Sequence, residues 1–272
     1  MTSDNHQPSL DRQHGQDRSW DAAGRAQLEQ IGHVLDMSRL AITAVITHHT
    51  DLEQSLHRAD HQIRDLQWDA ARILLNPGAS PVELSAVTTD ATQLLTQLSA
   101  SRRTAEGVHH LLESTHQRLQ HAGPVIASLA ETARGPEQAA TAAQLATRLE
   151  HLSTLVEVTL PLAERTARRL ENAHRALDEG MQHWGNHSSE TVHQFWGVHH
   201  TLFDTNGDLA AAQATNVDAR EVLQTAATAG TRTAAHLGDI YQRSSPAPSH
   251  PSLFPPRHSP PDRRGPSTGP SI

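Results

Sequence analysis

The stretch LEQIGHVLDMSRLAITAVITHHTDLEQSLHRADHQIRDLQWDAARI, residues 28–73, decides the fold. With Leu28 as position a of a heptad, the a series is Leu28, Leu35, Ile42, His49, Leu56, Ile63 and Ala70. The d series is Ile31, Ser38, Val45, Leu52, Ala59, Leu66 and Ile73. The period holds without a skip. Such a stripe is apolar along one face of a helix and needs neighbouring helices to cover it.

The flanking residues divide the rest of the chain. NPGASPVE (76–83) stops the first helix, and Ser80-Pro81-x-Glu83 restarts the next as N-cap, first-turn proline and capping-box carboxylate. The second register runs Leu84, Ala91, Leu98, Ala105, Leu112, Leu119, Ile126, Ala133 at a, with Val87, Leu94, Ser101, Val108, Thr115, Ala122, Leu129 at d. Gly123-Pro124 lies inside it without shifting the phase, which predicts a kink or a brief interruption. Gly135-Pro136 ends it. A third register, from Ala142 to Trp184, contains Pro161, which predicts a bend. The phase then jumps beside Gly185-Asn186, and a fourth register runs from Phe195 to Ile240.

The fold expected is all-α: an elongated antiparallel four-helix bundle, or coiled-coil rod, with disordered termini. Its helices span about 19–76, 80–134, 136–184 and 188–243. At ~1.5 Å per residue each rod is roughly 75–85 Å long. Residues 1–18 are polar and aperiodic and read as a disordered arm. Residues 244–272 hold 9 of the 15 prolines and read as a disordered, partly polyproline tail, with Pro-x-x-Pro spacings such as Pro248/Pro251 that suit docking.

Composition excludes several function classes. Of 272 residues only 8 are aromatic (Trp 4, Tyr 1, Phe 3), fewer than a large compact core uses. Cys and Lys are both absent, which removes thiol catalysis, Cys-based zinc sites, a phosphate-loop lysine and Schiff-base chemistry. The net charge is -8, without the basic stripe that nucleic-acid binding needs. The most apolar short run, AITAVI (41–46), is far shorter than the ~20 residues of a membrane span. The start lacks an apolar h-region and does not read as a signal peptide. These features predict a cytoplasmic protein with no nucleic-acid or membrane partner.

Two motifs imitate metal sites. LESTHQRL (112–119) and LENAHRAL (170–177) each carry Glu-x-x-His, as half of a di-iron carboxylate site does. With a turn near 135, His116 and His174 differ by about 20 residues of height, roughly 30 Å, and Glu113 and Glu171 fall at outward b positions. One dinuclear centre cannot use both. DTNGDL (204–209) places Asp204, Asn206 and Asp208 at the first ligand positions of a calcium loop. Leu209 stands where that loop needs Gly, and Thr215 where it needs Glu.

Histidine is the compositional anomaly, at 21 residues. A turn near 78 places His48 and His49 opposite residues 107–108, beside His109 and His110. A turn near 186 places His174 opposite residue 198, beside His199 and His200. Neutral imidazoles suit zinc, nickel or copper, so the candidate metal ligands are His48, His49, His109, His110, His174 and His199. His49 occupies an a position, where burial disfavours the imidazolium. No catalytic residues and no organic cofactor are expected. The function expected is a non-enzymatic scaffold or protein-interaction module whose partners are proteins, self-association included. The alternative is a histidine-based metal-binding or pH-responsive bundle.

Overall fold

The structure is a computed structural model, and it describes residues 20–75, 81–184 and 191–244. Four helices follow one another: α1 Ala22–Leu74, α2 Pro81–Glu131, α3 Pro136–Trp184 and α4 Thr191–Ser244. Consecutive helices pack antiparallel, and α4 closes the ring against α1. The result is a square bundle, about 80 Å long from the 53 residues of α1 at 1.5 Å each. No helix among the described residues is long and apolar enough to cross a membrane. The arm before residue 20, the Ser80 cap, residues 185–190 and the Pro-rich tail lie outside the described residues.

Local chemistry explains the ends. α1 starts at Asp21, whose carboxylate accepts a hydrogen bond from the Gly24 N–H at 2.8 Å. That backbone bond, followed by the nearby Arg134 cation, holds the Asp21 carboxyl below its ordinary range. Arg134 sits 2.9 Å away in the α2–α3 turn, so one carboxylate both caps α1 and ties it to its neighbours. Beyond α2, Gly135 adopts φ 101°, which a side chain would resist, and Pro136 opens α3. The Gln138 amide oxygen then takes the N–H of Arg134 at 2.7 Å.

The heptads are realised almost residue for residue. Every a and d side chain described in α1, from Leu28 to Ile73, is buried, His49 and Ser38 included. In the other helices the exceptions are half-buried Ala133 and Gly180, near the turns. Gly123-Pro124 and Pro161 do not interrupt their helices. Both prolines fall at f positions and are exposed, so the carbonyls they leave unbonded face water. The DTNGDL stretch is likewise helical throughout, with Asp208 bonded to Arg169 at 2.8 Å rather than forming a loop.

Cross-helix hydrogen bonds fix the register. Gln27 meets Ser128 at 2.7 Å and Ser55 meets Ser101 at 2.8 Å, which puts His49 opposite Gly107, as expected from a turn near 78. His116 reaches Ser153 of α3 at 3.4 Å, 21 residues before His174. The two Glu-x-x-His motifs are therefore about 30 Å apart along the bundle. Between α3 and α4 the expected register is wrong. Thr166 meets Thr215 at 2.9 Å and Arg169 meets Asp208, placing His174 opposite residues 203–207 instead of 198. The offset is about one heptad, or ~10 Å. A slip of one heptad leaves every a and d residue facing inward, so periodicity alone cannot detect it.

Candidate functional site

The apolar interior is not continuous. One cluster runs from Trp20 to Val45 in α1 and includes Val108–Leu129, Ala142–Ala163 and Leu223–Ile240. The other holds Leu52–Ile73, Val87–Ala105, Leu170–Leu177 and Val198–Ala212. Between them three helices place polar side chains at core positions: His49 in α1, Thr166 in α3 and Asn216 in α4. None is more than 1% exposed.

The polar layer bonds itself together. Asn216 Nδ2 donates to the His49 carbonyl oxygen at 3.0 Å, which orients the amide and turns Oδ1 to the imidazole. His49 Nδ1 then donates to Asn216 Oδ1 at 2.7 Å. This makes the neutral Nδ1–H tautomer the favoured one and leaves Nε2 buried without a partner. Burial lowers the His49 pKa below its ordinary 6.5, against the opposing effect of the Asn216 hydrogen bond. The Arg220 and His48 charges push it the same way as burial. The Thr166 and Thr215 hydroxyls lie 2.9 Å apart, and one donates to the other in place of, or shared with, the carbonyl one turn back in its own helix.

Polar links close all four seams near this height. Arg220 of α4 pairs with Glu53 of α1, and Arg102 of α2 pairs with Glu171 of α3. The Arg102 hydrogen bond is the main reason that the Glu171 carboxyl titrates below its ordinary value. Glu171 thus bridges two helices, although its b position had suggested a solvated side chain. On the α1–α2 seam Gln97 Nε2 donates to the Ser55 carbonyl at 2.7 Å, beside the Ser55–Ser101 contact. Buried polar groups at core positions specify register because a shifted alignment leaves them unbonded. The girdle therefore supplies what the heptads lack: a heptad slip would carry Asn216 about 10 Å from His49.

The six histidines singled out in the sequence belong to no group of three or more potential metal ligands among the described residues. His49 is committed to Asn216. His48 is exposed on the outer side of α1. His109 and His110 lie 5.8 Å apart between ring centroids, and His110 Nδ1 is 3.8 Å from Glu113 on the solvent side. The heptad offset between α3 and α4 separates His174 from His199 by roughly 10 Å in height, which corrects the expectation that they share a level. Among the described residues no three His, Asp or Glu side chains converge on a point that could hold a metal ion. The sequence reading missed the partnership of His49 with Asn216 and of Thr166 with Thr215. The available signal was the presence of polar residues at a and d positions of adjacent helices. No family model, curated protein or solved structure matches the chain.

Proposed function

We propose that the protein is a non-enzymatic rod of coiled-coil type that presents one end to a protein partner. One observation carries this reading. Four of the seven exposed large apolar side chains among the described residues, Trp68 (76% exposed), Leu75 (86%), Val82 (76%) and Phe203 (65%), lie in the half of the bundle that holds the C-terminus of α1, the start of α2 and the first third of α4; Met37, Leu40 and Val158 lie elsewhere. Exposed large apolar side chains that gather towards one end of a rod suit a protein interaction site. Meanwhile the central polar side chains His49–Asn216 and Thr166–Thr215 bond across helices and hold register. A cytoplasmic location and the absence of nucleic-acid and membrane partners belong to the same proposal.

The test is affinity capture with the full chain and with Trp68→Ser/Phe203→Ser, joined to sedimentation velocity over a wide concentration range. The reading requires specific partners, or a second copy of the chain, that the wild type holds and the variant loses. Identical capture and identical sedimentation by a folded variant would overturn it. A second reading, a pH-responsive bundle, draws its support from His49, a titratable group closed into the core beside Arg220 and His48.

A further inference from the structure

Outside the girdle, α1 carries one further histidine arrangement that neither the heptads nor the proposed docking end uses. His57 and His61 are four residues apart on a regular helix, at b and f positions, and both are exposed. They form the one His/His pair at this spacing among the described residues. Their ring centroids lie 4.9 Å apart, with the ring planes at 83°.

That distance suits a chelate. A zinc–imidazole bond is about 2.0–2.1 Å, and the bonded nitrogen lies roughly 1.1–1.2 Å from its ring centre. Two imidazoles bound to one ion at about 90–110° therefore have centroids roughly 4.5–5.2 Å apart. The helix holds the two rings at this separation in an edge-to-face contact, and chelation requires both side chains to rotate until one nitrogen of each faces the ion. Histidines at i and i+4 share a face and can take one ion together. His109 and His110, being adjacent in sequence, project in directions about 100° apart around the helix and sit at 5.8 Å.

The flanking charges permit a cation. Arg64 is paired with Asp60 at 2.8 Å, whereas Arg58 donates to the neutral Gln54 carbonyl and keeps its charge. Asp65, four residues beyond His61, adds negative charge to the same side of the helix. We propose that His57 and His61 bind a borderline divalent transition-metal ion through one nitrogen each, with the remaining positions open to water or to a ligand from another molecule. The chemistry selects copper over nickel and zinc, and excludes calcium and magnesium, which require oxygen ligands.

The test uses the untagged full chain in equilibrium dialysis against copper, nickel, zinc and magnesium in turn at pH 7.5. Bound ion is counted for wild type, His57→Gln/His61→Gln and, as a control at another exposed position, His121→Gln. The expected result is one transition-metal ion fewer in the double variant than in wild type or control. A transition metal should raise the melting temperature of wild type more than that of the double variant, because binding to the folded state alone stabilises it. Equal stoichiometry in wild type and double variant overturns the assignment. So does an equal loss in the control, which would mean that binding is spread over the surface histidines, or retention of magnesium in place of the transition metals.

Discussion

Replacing His49 and Asn216 together by leucine tests the central layer most directly. The wild-type effect of pH has a definite sign. The folded pKa of His49 lies below its ordinary 6.5, so protons bind the unfolded chain more readily. No penalty exists well above pH 6.5; it appears as the pH falls through that value and grows until the folded pKa is reached. If the buried ring stays neutral throughout, a descent from pH 7.5 to 5.5 costs about 1.4 kcal/mol from this residue, since a tenfold rise in the protonated unfolded population is worth that much. The imidazole is closed in the core and Arg220 and His48 oppose its charge, so little solvent screening reduces the effect.

The double leucine variant should lose this component while filling the layer with apolar groups at two a positions. Replacing both members of a buried polar pair is often neutral or stabilising, whereas Asn216→Leu alone strands the His49 N–H and should cost about 1–3 kcal/mol. The assay is urea unfolding followed by helical circular dichroism at pH 7.5 and 5.5. The remaining histidines are common to both proteins, so the informative quantity is the difference between them: wild type should lose more than the double variant on acidification, by at most about 1.4 kcal/mol. Equal losses would refute the reasoning, and a stable Asn216→Leu single variant would show that the pair is not satisfied as described.

The packing sets four further outcomes. Small-angle scattering should give a maximum dimension of at least about 75 Å; a radius of gyration near 17 Å, the compact value for about 225 residues, would contradict the rod. Pro161→Ala should raise the melting temperature, because it restores a backbone hydrogen bond to Glu157 in a continuous helix; the gain should be at most ~3 kcal/mol and reduced by the exposed setting. Gly107→Ala should stabilise by up to ~1 kcal/mol, since a methyl there meets nothing within 4 Å. Gly180→Ala should lower the melting temperature, since its methyl would come within 2.8 Å of Thr201 Cβ across the α3–α4 seam. Thermal melts of both glycine variants check the contrast.

The sequence by itself determined the helical class, the four segments and nearly every buried position. The stripes carry this information because a helix places residues 3.5 apart on one face whatever surrounds it. It also ruled out the di-iron reading of Glu-x-x-His, because distance along a helix is proportional to residue number. Tertiary structure decided what that periodicity leaves degenerate. The α3–α4 offset of about one heptad preserves every inward-facing residue, so only specific cross-helix bonds such as Thr166–Thr215 and Arg169–Asp208 distinguish the two alignments. His49 could be placed in the core from its position, but its partner could not. Asn216 lies 167 residues away, and pairing them requires the height of α4 against α1, which no local rule sets. Prolines 124 and 161 show the same division: the sequence placed both inside helices, and their outward f positions allowed the helices to continue through them. Burial follows from periodicity, whereas alignment follows from the few polar contacts that periodicity does not encode.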